Sequence, residues 1–260
     1  MSHQCGGCGG CGSGQAPETE PKLASHPLSQ IKTVIGIGGG KGGTGKSLIT
    51  SLLAAELSKK GKNVGILDGD ILSPAIPHMF SLPQGVTQGE EGLYPGLSEG
   101  GIKVMSSGLF MEDETEAVTW HSPMMAGVIQ QFWGSVIWDQ IDVLLIDLPP
   151  GTGEVSMAAF EHLPLDGLIL VSTPEASSTR AAARTLLLAS EKQVPVLGFI
   201  ENFSGLFPGK ALDQLGVRCQ LFTIDRLPFD PSLTEAAEEG RLEALGASYL
   251  PNALALIEAL

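Results

Sequence analysis

Basic residues are scarce in this sequence. Its 260 residues contain 15 lysines and arginines against 29 aspartates and glutamates, so the formal net charge is −14 and the pI is near 4.7. Such a surface repels phosphate backbones and anionic lipids, which argues against a nucleic-acid or a membrane partner. No uninterrupted apolar run approaches the roughly 18–20 residues that cross a bilayer, and the N-terminus lacks a basic-then-apolar signal pattern. We therefore expect a soluble cytoplasmic protein.

Cysteines are also few: there are four, and Cys5, Cys8 and Cys11 lie within the first eleven residues. A disulfide framework would spread them through the fold, so this cluster favours a metal site in a reducing compartment. Their C-x-x-C-x-x-C spacing is that of the start of a ferredoxin-type run and predicts an iron–sulfur cluster, which we expect to be 4Fe-4S. Zinc bound with His3, or a thiol tail without metal, are the alternatives. We interpret Cys219 as an inert, half-buried apolar residue.

The composition of the chain changes near residue 31. Residues 1–30 are rich in Gly, Cys, Pro, Glu and Ser and predict a flexible tail, whereas residues 31–260 predict a single folded domain. In that domain short apolar runs alternate with helical stretches, which predicts an α/β fold with a mostly parallel sheet and helices on both faces. The predicted strands are 33–37, 64–67, 102–105, 143–146, 168–171 and 196–200, and the predicted helices are 46–60, 123–138, 154–162 and 177–191.

A glycine-rich loop follows the first predicted strand and precedes the first predicted helix. It matches G-x-x-x-x-G-K-[ST], the phosphate-binding P-loop, in which glycines let successive backbone N–H groups turn towards an anion at a helix N-terminus. Lys46 supplies a charge for the β- and γ-phosphates, and the Ser47 hydroxyl is placed for Mg²⁺. The predicted ATP-binding residues are Gly40, Lys41, Gly42, Gly43, Thr44, Gly45, Lys46 and Ser47.

Acidic residues follow two further predicted strands. Asp147 ends an apolar run in the manner of a Walker B carboxylate. It is predicted to complete the Mg²⁺ site with Ser47 through an outer-shell contact, in which its carboxylate holds a water of the ion's shell. Asp70 is predicted to position or activate the attacking water and, with Lys46, forms the predicted catalytic set. The resemblance described below adds Lys41 to this set. For Asp68 the capping of a turn is an equally good interpretation.

Six segments, in order over residues 31–260, carry a family resemblance. The loop Lys41–Ser47, with its additional first lysine, resembles the deviant Walker A loop of the MinD/ParA class. Five further segments resemble the Mrp/ApbC family of iron–sulfur cluster carrier ATPases: residues 68–77, 119–125, 146–154, 201–204 and 227–231. In residues 119–125, His121 and Ser122 depart from that family's Trp-Arg-Gly-Pro-Met pattern.

The resemblance implies a P-loop ATPase that forms a homodimer around ATP and Mg²⁺. It also implies that Lys41 contacts nucleotide across the dimer, that Asn202 contacts adenine, and that the backbone around Pro228 forms a wall beside the base. Members carry or assemble iron–sulfur clusters for recipient apo-proteins. The family's C-x-x-C after Glu-Asn-Met-Ser is missing here, because residues 206–211 contain no thiol, so we expect the bridging cluster site to be lost.

The predicted function is therefore a slow, Mg-dependent ATPase that carries or assembles iron–sulfur clusters. The main alternative is a MinD/ParA-like positioning ATPase without a cluster, although residues 249–260 lack the basic residues of a membrane-binding tail. A module that uses ATP only as a clamp, or an adaptor for another metalloprotein's maturation, are further alternatives.

Overall fold

A computed structural model describes residues 21–111, 122–246 and 248–260. The predicted cluster ligands Cys5, Cys8 and Cys11, together with His3, lie outside the described residues. So do residues 119–121 of the tryptophan-containing motif.

Ten strands and eight α-helices occupy the described residues. The strands are β1 (Gln30–Gly38), β2 (Val64–Asp68), β3 (Thr87–Gln88), β4 (Leu93–Tyr94), β5 (Gly96–Leu97), β6 (Lys103–Met105), β7 (Gln140–Asp147), β8 (Gly167–Ser172), β9 (Val196–Ser204) and β10 (Thr223–Pro228). The helices are α1 (Lys46–Lys59), α2 (Ile76–Met79), α3 (Ser122–Ser135), α4 (Glu154–His162), α5 (Ala176–Glu191), α6 (Ala211–Cys219), α7 (Pro231–Glu238) and α8 (Pro251–Glu258). Two 3₁₀ turns lie at Ser107–Phe110 and Leu242–Ala244.

Eight of the strands form one sheet in the order β10-β9-β8-β1-β7-β2-β6-β5. Its pairs are parallel except for β5 with β6, and β3 pairs with β4 in a separate antiparallel ribbon. The neighbours of β1 are β7 and β8, so the ends of these three central strands meet at the glycine-rich loop. The predicted mostly parallel sheet is confirmed.

Two apolar cores cover the two faces of the sheet. Alternate residues of β1 point to opposite faces: Ile35 contributes to the core that includes Leu53 of α1, and Val34 to the core that includes Phe160 of α4. Because both faces are covered, the central strands are apolar almost throughout. The predicted helices on both faces are thereby confirmed.

The described part of the chain before β1 lies against the domain. Within residues 21–29, which we call the N-terminal strap, the Leu23 N–H donates to the carbonyl of His162 at 2.8 Å. The Leu23 carbonyl accepts from the Trp133 indole N–H at 3.0 Å. The structure therefore differs from the prediction of one flexible segment over residues 1–30, because the strap's backbone has hydrogen-bond partners on α3 and α4.

Helix α3 ends earlier than predicted, at Ser135 rather than at residue 138. The Ser29 hydroxyl of the strap donates to the carbonyl of Val136 at 3.2 Å and accepts from the Trp138 N–H at 2.8 Å. These backbone groups are therefore bonded outside the helix, and the fully buried Trp138 packs into the core as part of the turn towards β7.

Candidate functional site

The glycine-rich loop connects β1 to α1, whose N-cap is Gly45. Gly45 has φ 82° and ψ 27°, and Gly43 has φ 73°, a left-handed region that favours glycine. A Cβ atom added at Gly42 or Gly43 would have no heavy atom within 4 Å, so this side of the loop is open. Open backbone above a helix N-terminus is the arrangement that binds anions.

The base of the loop is tightly packed. A Cβ atom at Gly40 would lie 1.9 Å from the carbonyl carbon of Ala181 in α5, and one at Gly39 would lie 2.6 Å from the carbonyl oxygen of Val171 in β8. Only glycine fits at these two positions, and their close packing fixes where the loop leaves β1.

Lys46 carries the buried positive charge of the site, and only 6% of its surface is exposed. Burial lowers the pKa of its ammonium group, while the carboxylates of Asp147 and Asp70 act in the opposite direction. The structure thus brings the predicted catalytic residues Lys46 and Asp70 together with the predicted Mg²⁺ residue Asp147.

Asp147 lies at the end of β7, where its Cα pairs with that of Ile37 in β1. Its Oδ2 accepts a hydrogen bond from the Ser47 hydroxyl at 2.6 Å, and its Oδ1 accepts one from the Thr50 hydroxyl at 3.1 Å. Burial raises its pKa to about 6, although the two hydroxyls and Lys46 lower it. The adjacent carboxylate and hydroxyl oxygens of Asp147 and Ser47 are hard ligands that fit Mg²⁺.

Thr50 was not predicted from the sequence. Its position three residues after Ser47 on the same helix was the available signal, because residues at that spacing share a helix face.

Asp68 and Asp70 follow β2 and differ in their surroundings. Asp68 is fully buried, and its carboxylate accepts from the Ser106 hydroxyl at 2.8 Å and from the Asp70 N–H at 3.1 Å. The bond from the Asp70 N–H to the Asp68 side chain is the contact expected if Asp68 caps the following turn. Burial, followed by the charge of Asp147, raises the pKa of Asp68 well above its usual value. Asp70 is less deeply buried. Burial raises its pKa as well, whereas the positive charge of Lys46 lowers it.

The predicted base-binding residues lie on the last two strands of the sheet. The Asn202 amide, on β9, donates to the Thr44 carbonyl of the loop at 2.9 Å. Pro228 is the exposed last residue of β10. The next residue after each of these, Phe203 and Phe229, contributes to a tilted pair of rings with centroids 6.0 Å apart. The sequence analysis did not identify this aromatic pair.

Lys41 has contacts unlike those of Lys46. Its side chain is 49% exposed, and its ammonium group lies 3.6 Å from the Glu175 carboxylate and 3.4 Å from the Ser177 hydroxyl. Both partners are at the start of α5. The first lysine of the loop is therefore accessible at the surface of the site.

The structure describes all of residues 206–211, the segment in which we expected the family's bridging thiols to be missing. Residues 206–211 include the exposed Leu206 and Phe207. Cys219 ends α6 and is exposed, so the interpretation of a half-buried residue is wrong. The helix turns at Gln220, which adopts φ 55°, and this turn leaves Cys219 at the surface.

The described residues offer neither a metal site nor a membrane-spanning helix. Residues 21–111, 122–246 and 248–260 contain no group of three or more His, Cys, Asp or Glu side chains that could hold a metal ion. No helix in these ranges is long and apolar enough to span a bilayer.

A buried lysine in a glycine loop, between a central strand and a helix, with a carboxylate at the end of the neighbouring strand, defines a P-loop NTPase. The family described as "ParA: NUBPL iron-transfer P-loop NTPase" matches residues 30–249, and the chain belongs to this family. This membership confirms the resemblance found in the sequence motifs.

The chain is similar to iron–sulfur cluster proteins over most of their length. The "iron-sulfur cluster carrier protein" of Methanocaldococcus jannaschii is 37% identical and is covered to 84%, with 86% of this chain matched. The "cytosolic Fe-S cluster assembly factor nubp2" of Danio rerio is 37% identical and is covered to 87%, with 82% of this chain matched.

Solved structures share the fold. A nucleotide-binding protein of Archaeoglobus fulgidus, solved with ADP, is 36% identical with a TM-score of 0.70, and the match covers 84% of this chain and 90% of that one. The septum site-determining protein MinD of Pyrococcus horikoshii, solved with Mg-ADP, has a TM-score of 0.63 over 88% of this chain and 96% of its own. At 20% identity this second similarity shows the fold alone.

Proposed function

We propose that this protein binds Mg-ATP, hydrolyses it slowly, and carries or assembles iron–sulfur clusters as a nucleotide-linked homodimer in the cytoplasm. The observation that carries the ATPase part is the contact between Ser47 and Asp147 beside the buried Lys46. The names of the relatives support the cluster as cargo. Recipient apo-proteins are the partners that this function requires.

The chain's own residues account for the ATPase chemistry. Loop N–H groups and Lys46 bind the phosphates. Ser47 and Asp147 would hold Mg²⁺, and the bound ion would supply neutralisation of the charge on the transferred phosphoryl group. Asp70 follows the neighbouring strand β2 and is close enough to Lys46 for their charges to interact. In that place it positions the attacking water. Phosphoryl transfer needs little more than such positioning and charge stabilisation.

The exposure of Lys41 supports the nucleotide-linked dimer. Among the described residues its ammonium group contacts the partly exposed Glu175 and the exposed Ser177, so it is available to a nucleotide bound by a second copy. Sedimentation with a non-hydrolysable ATP analogue tests this: we expect dimers for the unmodified protein and monomers for Lys41→Ala. Equal dimerisation of both would contradict it.

The cluster site is proposed at Cys5, Cys8 and Cys11. Within the described residues there is no alternative group of ligands, and residues 206–211 lack the thiols that the resemblance implies. Thiolates favour iron–sulfur or zinc over harder metals.

Anaerobic reconstitution followed by iron, sulfide and zinc analysis tests this site. The triple variant Cys5→Ser, Cys8→Ser, Cys11→Ser should bind no cluster, and the matched control Cys219→Ser should bind as the unmodified protein does. Equal iron and sulfide in both variants would refute the site, and zinc without sulfide would identify a zinc site instead. Cluster transfer rates with ATP, with ADP and without nucleotide then test whether hydrolysis controls delivery.

The positioning ATPase is the less well supported alternative. Its support is the fold shared with MinD, which carries no functional information at 20% identity. Helix α8, the last of the chain, contains no lysine or arginine to bind an anionic membrane.

A further inference from the structure

Asn202 has a structural position that base recognition alone does not require. It lies on β9, two strands away from β1 in the sheet, yet its side chain reaches the phosphate loop. Neighbouring strands are about 4.8 Å apart, so the side chain connects elements whose axes are about 10 Å apart. Only 1% of its surface is exposed, so its polar atoms need partners within the protein.

Both ends of the Asn202 amide have a partner. Nδ2 donates to the Thr44 carbonyl at 2.9 Å, and Oδ1 accepts from the N–H of Phe203 at 2.9 Å. A carbonyl can only accept and an N–H can only donate, so these two bonds fix which end of the amide faces the loop.

The amide also occupies the space beside Gly45. A Cβ atom at Gly45 would lie 2.1 Å from Nδ2 of Asn202, closer than any real contact. Gly45 is the N-cap of α1, and no side chain caps the helix from within the loop. The left-handed conformation at Gly45 and the buried Thr44 carbonyl are therefore held from outside by Asn202.

We propose that Asn202 is a positioning residue that holds the phosphate loop in its binding conformation. The inference rests on the proposed ATP site and goes beyond base recognition. It has a specific consequence: loss of Asn202 weakens the binding of a triphosphate that has no base.

Inorganic tripolyphosphate with Mg²⁺ is the probe, and calorimetry gives its affinity and that of ATP. Asn202→Ala leaves the Thr44 carbonyl without its donor, which should weaken tripolyphosphate binding about tenfold. Asn202→Asp keeps the side-chain volume but places an acceptor against that carbonyl, so it should weaken binding at least as much. The matched control is Asn252→Ala, because Asn252 donates to the Ile224 carbonyl far from the loop and should be neutral.

The outcomes separate the inference from the proposed function. Tripolyphosphate affinity unchanged in both Asn202 variants, with ATP affinity reduced, would show that Asn202 contacts the base only and would overturn the inference. Failure of the unmodified protein to bind either ligand would instead refute the ATP site.

Discussion

Replacement of Asp147 by asparagine should stabilise the nucleotide-free protein at pH 8 and abolish its binding of Mg-ATP. The Asp147 carboxylate is fully buried, and hydrogen bonds from Ser47 and Thr50 do not offset the cost of burying its charge, because its pKa is raised to about 6. Asparagine keeps the shape and can still hydrogen-bond both hydroxyls, but it carries no charge.

The magnitude follows from the pKa. The change from a usual pKa of 3.8 to about 6 corresponds to about 3 kcal/mol. The folded protein binds this proton more tightly than the unfolded chain does, so the wild-type protein loses stability as pH rises from about 4 to 6. The free-energy advantage of Asp147→Asn should therefore grow by about 2–3 kcal/mol between pH 4 and pH 8.

Urea unfolding in the presence of EDTA, at intervals from pH 4 to pH 8, measures this difference. The control is Asp142→Asn: a hydrogen bond from Lys32 lowers the pKa of Asp142, so the sign of its pH dependence should be opposite. A free-energy difference between Asp147→Asn and wild type that does not change with pH would refute the reasoning. Calorimetry on the same samples at pH 8 with Mg-ATP checks the loss of binding.

Three further predictions concern other parts of the molecule. Mg-dependent ATP affinity should fall as pH drops through about 6, because Asp147 becomes protonated; calorimetry with and without Mg²⁺ isolates this effect, and an equal fall in EDTA would contradict it. Lys41→Ala should reduce steady-state ATP hydrolysis at least about tenfold while a protomer still binds ATP, since a lysine supplied in trans acts as an arginine finger does; an unchanged rate would contradict this role. Ser29→Ala should lower the free energy of unfolding by about 1–3 kcal/mol in urea titrations, because the Trp138 N–H and the Val136 carbonyl lose their partner, and ATP affinity should stay unchanged.

The central strands of the sheet could be predicted because each is recognisable from its own short stretch of sequence. Each of the six predicted strands overlaps an observed one, since strands buried on both faces appear as short, continuous apolar runs. Strand β10 was missed because it lies at the sheet edge, and its sequence Thr-Ile-Asp-Arg-Leu-Pro mixes polar and apolar residues. One of those polar residues, Asp225, accepts a hydrogen bond from the Ala253 N–H at the start of α8. That contact between distant residues leaves no periodic signal.

The site could be predicted where its functional residues are neighbours in the sequence or directly follow a strand. The loop of residues 40–47 is a single motif, and the carboxylates end apolar runs that belong to strands. The roles of Thr50 and Ser106 could not be found in this way, because each depends on a hydrogen bond to an aspartate that is remote in sequence. The hydrogen bond from Asn202 to the Thr44 carbonyl could not be predicted for the same reason, because 158 residues separate the two.

The buried charges of the site explain why the metal and the nucleotide should bind together. Burial raises the pKa values of Asp68, Asp70 and Asp147 and lowers that of Lys46, so each group is shifted towards its neutral form. The carboxylates of Asp70 and Asp147 both act on Lys46, Asp68 lies close enough to Asp147 for their charges to interact, and free ATP would add further negative charge to this site. Mg²⁺ offsets the charge of both the carboxylates and the phosphates. The protein should therefore bind Mg-ATP in preference to free ATP, and the positive charge of the metal should favour the ionised forms of these carboxylates, which burial disfavours.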